Sequence, residues 1–535
     1  MNSNPNIVIT GFMGTGKSTV GPRVAAALGR QFVDLDALIV ARAGREIAQI
    51  FADDGVVAFR QLEAAAVDEV AAQRGLVVAT GGGSLVSARN RRALASSGIL
   101  VCLRATPEVL EARLSGASDR PLLHAEDRRA RLRELLAGRA HAYDLIPHQV
   151  DTTSRSVDEV VAAIVGLAES ALPEPTAEDE PVRLTVRVAG AEYPIVFDHA
   201  DQLGALLRDR RLTGRLAIIT NASVGPLHAL PLQADLAVAG LEAEVLTVPD
   251  GEQYKTLATA EGLYTQLLER GFDRSSAVVA LGGGVIGDLS GFVAATYMRG
   301  LPFVQVPTSL LAMADASVGG KVAVDHPRAK NLIGAFKQPA AVLIDTHFLT
   351  TLPRREWRNG LAEVVKHGLI GAPALFERLE TAATDALAAD GEFVREAVQV
   401  KIAVVEEDPF EHGRRTTLNL GHTFAHAFEV LSDFKIAHGE AVAIGLVAAA
   451  RLSAELGHAA PALPDRVEAL LRRLGLPTAF DHAAPEAVWQ VMQGDKKKVG
   501  RRLRFVLVRE VGEVFVTDQV PEAGVYSVLV GLKRR

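Results

Sequence analysis

Short apolar runs of strand length alternate with stretches of helical spacing along most of this chain. Residues 6–10 (NIVIT) predict a strand, and residues 17–28 carry the spacing of a helix. Residues 31–33, 75–79 (GLVVA) and 99–103 (ILVCL) predict further strands. Such alternation predicts a parallel sheet covered by helices. It returns between Arg183 and Asp345, with strands over 216–220, 243–248, 277–281, 303–306 and 341–344. From about Phe348 the pattern is long and helical, as over 441–456. Between the two strand-rich stretches lies 172–182, LPEPTAEDEPV, with three prolines, four acids and no apolar periodicity. It reads as a solvated linker. The expected division is therefore 1–171, a linker at 172–182, an α/β domain over 183–346 and a mostly helical domain over 347–535.

Composition narrows the class. Of 535 residues, 48% are hydrophobic and 23% charged, the balance of a soluble globular enzyme rather than a disordered chain. A net charge of −7 argues against a dedicated nucleic-acid binder. The single cysteine, Cys102, excludes an intramolecular disulfide and a four-cysteine zinc site. The first residues lack the basic and apolar regions of a signal peptide, and no apolar run approaches the ~20 residues of a membrane helix. A cytoplasmic enzyme acting on small molecules, with no nucleic-acid or membrane partner, is expected.

Residues 11–18 read GFMGTGKS, a complete G-x-x-x-x-G-K-S between a strand and a helix. Backbone N–H groups of such a loop wrap phosphate oxygens, so Gly14, Gly16 and Thr19 are expected around ATP. Lys17 is expected at the outer phosphates and Ser18 at Mg²⁺. Asp34 and Asp36 follow at the end of the second strand. Alternate strand positions share a face, so both carboxylates are expected to point into one site, although a helix-capping D-x-D is the competing reading. Arg60, Arg120 and Arg139 surround this loop and a glycine triplet at 81–83. Arginines in that number suggest a small acceptor carrying a carboxylate and a hydroxyl.

The motifs GFMGTGKST, FVDLD, FRQLE, TGGG, RPLL and RAHAY resemble shikimate kinase in order and spacing, over residues 6–168. The resemblance implies a P-loop fold like the nucleoside-monophosphate kinases, with a mobile lid. It assigns Asp34 to the outer shell of the metal. It gives Asp36 the shikimate hydroxyls, Arg60 and Arg139 the carboxylate, and Gly82 and Gly83 the pocket lining. Arg120 is implied to come from the lid and neutralise phosphate charge.

Residues 282–288 read GGGVIGD after a strand and satisfy G-x-G-x-x-G, a weak dinucleotide signal by itself. The ribose-binding acid usual ~20 residues on is missing, since that region reads Pro307-Thr308-Ser309. An acid lies upstream instead, in the run Asp250 to Lys255. Further on, His422 and His426 stand at i and i+4, and spacing alone predicts them as joint metal ligands. Arg299, Asp315, Lys321, Lys330, Asn331, Lys401, Glu411 and Arg415 form a dense polar set that suggests an anion site.

DGEQYK, GGGVIGD, YMRG, PTSLLAMADASVGGK, KNLIGAF, NGLAEVVKHG, LNLGHTFAHAFE, HGEAV and DKKK resemble 3-dehydroquinate synthase, over residues 183–535. That family has an NAD-binding α/β domain followed by a helical metal domain. The resemblance replaces the spacing-based pair with Glu363, His422 and His438 as ligands, usually to Zn²⁺, with Co²⁺ as a substitute. It moves His426 to the reaction. NAD contacts are implied for Glu252, Lys255, Gly283, Gly284, Val285, Asp288, Thr308, Ser309 and Lys330. Substrate contacts are implied for Asp315, Lys321, Asn331, Asn359, Lys366, Lys401, Arg415, Asn419 and Lys497, with Lys366 and Glu411 also implied in the reaction. Arg299 is implied to reach a neighbouring subunit, and so a homodimer is expected. The implied chemistry is oxidation of a substrate hydroxyl by NAD⁺, loss of phosphate, return of hydride, and ring closure.

Taken together, one chain is expected to carry two enzymes of the shikimate pathway. Rival readings for the second part are another sugar-phosphate cyclase or a metal-dependent polyol dehydrogenase. A rival for the first part is a non-catalytic nucleotide-binding module.

Overall fold

The computed structural model describes residues 4–114, 128–170, 181–188, 190–383, 387, 391–494 and 503–533. The chain forms two compact units that interleave along the sequence. The first comprises 1–180, 200–250 and 265–279, and the second 181–199, 251–264 and 280–535.

The first unit contains a five-stranded parallel sheet of β1 (Asn6–Gly11), β2 (Gln31–Asp34), β3 (Leu76–Ala79), β4 (Gly98–Arg104) and β5 (His148–Asp151). Their order is β2-β3-β1-β4-β5. β1 shows why the sheet sits at the centre. Ile7, Val8 and Ile9 are all fully buried, with alternate residues on opposite faces. Ile7 and Ile9 join Val20, Val24, Val160 and Ile164, from helices Lys17–Leu28 and Val157–Ser170. Val8 joins Leu35, Ile39, Phe59 and Val67 on the other side. Burying each such aliphatic side chain contributes roughly 1.5–3 kcal/mol. The run of three apolar residues therefore reads as a strand covered on both faces.

In the second unit, β6 (Val182–Val188) and β7 (Ala191–Phe197) form an antiparallel hairpin. β8 (Leu216–Asn221) and β9 (Ala243–Val248) belong to the first unit and pair in parallel. β10 (Ala277–Gly282) crosses the division, followed by β11 (Phe303–Pro307). β12 (Lys321–His326) and β13 (Ala329–Phe336) form a separate hairpin ahead of β14 (Ala341–Ile344). The order is β6-β7-β14-β11-β10 in the second unit and β10-β8-β9 in the first.

Every predicted strand is present. The hairpins β6–β7 and β12–β13 were not predicted, and Val182, expected at the end of the linker, opens β6. Residues 172–180 of that linker lie outside the described residues. Beyond Phe348 the chain is mostly helical as expected, with helices Arg354–Gly371, Glu392–Glu407, His422–Leu431 and His438–Glu455. It also carries a hairpin, β15 (Phe505–Glu510) with β16 (Glu513–Thr517). Among the described residues no helix is long and apolar enough to cross a membrane.

Candidate functional site

In the first unit, β1 ends at Gly11 and the next helix begins at Lys17. The loop between them turns through Gly14 and Gly16 at φ +83° and +100°, a region that favours glycine. Lys17 and Ser18 open the helix. The Lys17 ammonium donates to the carbonyls of Gly11 (2.7 Å) and Phe12 (3.1 Å). This is the strand–loop–helix context the motif requires.

The two aspartates do not share a strand face. β2 ends at Asp34, and Asp36 lies in the first turn of helix Leu35–Ala43. Asp34 Oδ1 caps that helix, accepting from the amides of Asp36 (3.0 Å) and Ala37 (3.2 Å). The sequence expectation failed because a strand terminus and a capping residue leave the same D-x-D signature. Capping points Asp36 at the glycine triplet all the same.

Three side chains converge on that triplet. A Cβ on Gly81 would lie 2.6 Å from Asp36 Oδ1, and one on Gly83 would lie 3.0 Å from an Arg60 nitrogen. Gly82 offers its carbonyl to Arg139 (3.1 Å), and a Cβ there would stand 3.4 Å from the same guanidinium. Glu63, fully buried, fixes Arg60 at 2.5 Å and accepts from Ser84 Oγ at 2.6 Å. Tyr143 donates to the Gly82 carbonyl, and burial pushes its hydroxyl up to about 12. Glu63 and Tyr143 were not singled out from the sequence, although both fall inside quoted motifs. Arg120 lies outside the described residues.

In the second unit, helices Arg354–Gly371, His422–Leu431 and His438–Glu455 bring Glu363, His422 and His438 together. One ligand atom from each lies within 4.8 Å of the others. His438 Nε2 is 3.3 Å and His422 Nε2 3.6 Å from Glu363 Oε1. The remaining ring nitrogens are tied outside the cluster. His422 Nδ1 is 3.1 Å from the Leu420 carbonyl, and His438 Nδ1 3.4 Å from Glu429 Oε1. That second tie is how metal-ligating histidines are oriented. Burial lowers His422 to about 3, which leaves its imidazole neutral. Burial also lowers His438, but Glu363 and Glu429 outweigh it and raise the group to about 10. His426 is not in the donor set. Its ring stands 5.7 Å from that of His422, so i, i+4 spacing named the wrong pair.

A buried charge network adjoins this cluster. Lys366 contacts Glu363 and stands 3.8 Å from Asp315. Lys401 reaches the same Asp315 oxygen at 2.6 Å, and His367 Nε2 lies 3.4 Å from it. Burial raises Asp315, yet Lys366 and Lys401 hold it well below the usual carboxylate range. Asp315 is thus the counter-charge that keeps two lysines in a dry site. Lys321 contacts Glu411, whose other oxygen accepts from Asn419 at 3.0 Å. Arg415 is buried, and its guanidinium donates to the carbonyls of Pro409 (2.5 Å) and Gly319 (3.0 Å). Asn359 is buried and donates to Glu356. Arg299 is exposed, and Lys497 lies outside the described residues. His367 and Glu429 were missed from the sequence, because a lone histidine or glutamate on an apolar helix carries no signal of its partners.

The glycine turn after β10 opens helix Gly284–Thr296. A Cβ on Gly283 would crowd Ser309 Oγ at 3.3 Å, and one on Gly287 would meet Gln305 at 2.7 Å. Val285 and Asp288 follow in the same helix, and the Thr308 amide donates to the Gly282 carbonyl. Lys255 Nζ joins Asn331 (2.6 Å), Asp288 (3.2 Å) and Glu252 (3.4 Å). Lys330 stands 3.7 Å from Glu252. Burial raises Asp288 to about 6 against the pull of Lys255. Backbone amides at a helix start, with carboxylates beside them, fit a dinucleotide.

Comparison with known proteins places these features. The family described as Shikimate kinase matches residues 13–168. The N-terminal and C-terminal parts of 3-dehydroquinate synthase match residues 245–359 and 360–498. A 3-dehydroquinate synthase of Halorhodospira halophila is 49% identical over 63% of this chain and 96% of its own length. One from Pelobacter propionicus is 45% identical over the same shares. Among solved structures, the 2-epi-5-epi-valiolone synthase ValA of Streptomyces hygroscopicus subsp. jinggangensis is 29% identical, with a TM-score of 0.60. It was solved with NAD⁺ and Zn²⁺ bound, and the match covers 65% of this chain and 98% of that one.

Proposed function

Because the chain belongs to the 3-dehydroquinate synthase family and carries a shikimate kinase unit ahead of it, a bifunctional shikimate-pathway enzyme, we propose a specific chemistry for each part. Residues 1–171 transfer phosphate from ATP to the 3-hydroxyl of shikimate. Residues 183–535 convert 3-deoxy-D-arabino-heptulosonate 7-phosphate to 3-dehydroquinate and phosphate, with an NAD-binding part over 183–346 and a metal and substrate part over 347–535.

In the kinase, Asp36 beside Gly81 receives the proton of the attacking hydroxyl. Arg60 and Arg139 grip the shikimate carboxylate, and Lys17 neutralises phosphate charge as it builds. Ser18, with Asp34 behind it, would hold Mg²⁺.

In the synthase, the observation that carries the reading is the Glu363–His422–His438 donor set, with both histidines oriented by outer partners. Three protein ligands are the count of a catalytic site. Glu363, His422 and His438 would hold Zn²⁺ or Co²⁺, and Glu252, Lys255, Gly283, Gly284, Asp288, Thr308 and Ser309 would hold NAD. When bound, the metal supplies an acidified substrate hydroxyl and the dinucleotide a reversible hydride acceptor. Lys366 and Lys401, both facing Asp315, bind the anionic groups of the substrate. Glu411, oriented by Lys321 and Asn419, and His426 move protons near the substrate. Arg299 serves a neighbouring subunit in a homodimer, and the enzyme works in the cytoplasm.

Phosphate release from 3-deoxy-D-arabino-heptulosonate 7-phosphate, with zinc and substoichiometric NAD, tests this. Many turnovers per NAD are expected. Release that stops once one equivalent of NADH has formed would mean a dehydrogenase. No release, with shikimate phosphorylation intact, would assign the synthase part to another sugar phosphate.

A further inference from the structure

A second group of metal-ligating side chains lies in the second unit and shares no residue with the site already described. It consists of His199, Asp345 and His347. One donor atom from each lies within 4.8 Å of the others. We propose that these residues bind a second divalent transition-metal ion, of the zinc, cobalt or nickel class.

The topology explains why the three meet. β7 and β14 are neighbouring parallel strands, in register at Ile195↔Val342 and Ile344↔Phe197. Each strand ends within two residues of the cluster. His199 follows β7 by two positions, while Asp345 and His347 follow β14 by one and three. All three therefore sit at the carboxyl edge of the sheet, where parallel sheets place their ligands.

The side chains are also arranged for a shared ion. His347 Nδ1 stands 3.0 Å from Asp345 Oδ1. The imidazoles of His199 and His347 face one another, with centroids 4.7 Å apart and planes tilted by 38°. Asp345 is buried, and its Oδ1 is held by the backbone amide of His347 at 3.0 Å, so the carboxylate is fixed in place. His347 is 67% exposed, which gives an ion a way in and leaves room for water as a further ligand. Two imidazoles and one carboxylate form a donor set suited to zinc and its neighbours, and poorly suited to magnesium or calcium. Protons compete with a metal ion for imidazole and carboxylate ligands, so occupancy rises with pH.

The same edge can be read as an ion pair and a ring contact alone, and the two readings predict different stoichiometry. The test is equilibrium dialysis of the full chain against Zn²⁺ at pH 7.5, followed by elemental analysis. The wild-type chain is expected to retain about two ions, and Glu363→Ala about one. The His199→Ala/His347→Ala double variant is expected to retain about one while keeping full synthase turnover. Should the double substitution impair folding, His347→Ala alone, at an exposed side chain, is expected to lose the second ion. With Co²⁺ as probe, either variant is expected to lose part of the visible absorption of the wild type. A wild-type chain that saturates at one ion overturns the proposal. So does a folded His199/His347 variant that still takes two.

Discussion

Lys366 and Glu363 lie one turn apart on helix Arg354–Gly371 and contact one another with only 1% of each side chain exposed. Burial raises Glu363, but Lys366 and His438 outweigh it and hold the carboxyl far below its ordinary range. Burial likewise pulls Lys366 down, but Asp315 and Glu363 outweigh it and raise the ammonium. Each charge is tolerated in a dry site because the other, together with Asp315 and His438, compensates it. The ligand that would carry a cation is thus already ionised, and its neighbouring lysine is ready for an anion.

Replacing Lys366 separates these roles. Lys366→Met leaves the buried Glu363 and the partly buried Asp315 with one cation fewer. Removing one partner of a buried pair costs about 3–5 kcal/mol. Thermal melting is expected to show that loss in metal-free protein and a smaller loss with zinc present, because the ion takes over the neutralisation of Glu363. Synthase turnover should vanish in both conditions. Equal destabilisation with and without zinc would show that Glu363 is not a ligand.

The glycine triplet predicts a kinase-specific defect. A Cβ on Gly81 would stand 2.6 Å from Asp36 Oδ1, so one of the two must move. A displacement approaching 1 Å at a reacting group costs roughly a hundredfold in rate. Gly81→Ala is therefore expected to lower kcat/KM for shikimate by about that factor and leave synthase activity unchanged. Gly29→Ala is the control, because nothing lies within 4 Å of its added Cβ. That position has φ +63°, so its effect is confined to stability.

The strands at the centres of the sheets were legible because they are short runs buried on both faces, as 277–281 and 341–344 show. The hairpin β12–β13 was not. In β13 exposed Lys330, Asn331 and Leu332 break any alternation, and what defines the strand is its pairing with β12. The site followed the same rule. Residues named by local motif, such as Lys17 and Gly283, stand where their motifs place them. Residues whose position depends on tertiary packing did not announce themselves. His426 looked like a ligand because i, i+4 spacing is a local signal, whereas Glu363 and His438 are joined only when two distant helices pack. Asp36 was expected from the right motif for the wrong reason, since the cap at Asp34, and not a strand face, aims it.

Separate sites predict separate losses. Lys17→Ala removes the ammonium from the phosphate loop and is expected to abolish ATP-dependent phosphorylation while sparing phosphate release by the synthase. Glu363→Ala is expected to do the reverse, and to release the metal in parallel. Circular dichroism and both assays on the same preparations check this. Loss of both activities in a folded single variant contradicts two independent sites.

The first unit also contains a carboxylate whose titration is measurable. Asp235, on helix Leu230–Val238, is buried and accepts from Ser87 Oγ at 2.6 Å and the Arg89 amide at 3.3 Å. Burial raises it to about 7, helped by Asp201 and opposed by Ser87 and Arg91. A folded-state value above the unfolded one means that the folded chain holds the proton longer. The contribution of Asp235 to stability is therefore full below about pH 4, falls as pH rises towards 7, and is flat above. The slope contributed by one group is at most about 1.4 kcal/mol per pH unit. Asparagine reproduces the protonated carboxyl and still accepts both hydrogen bonds through its carbonyl oxygen. Asp235→Asn is thus expected to melt close to wild type at pH 4.5 and above it at pH 8, with the gap opening mainly between pH 5 and 7. Melting curves across that range decide the matter. A gap that stays constant with pH would place the titrating group elsewhere, and a variant less stable at every pH would mean that the ionised form of Asp235 is the one the fold requires.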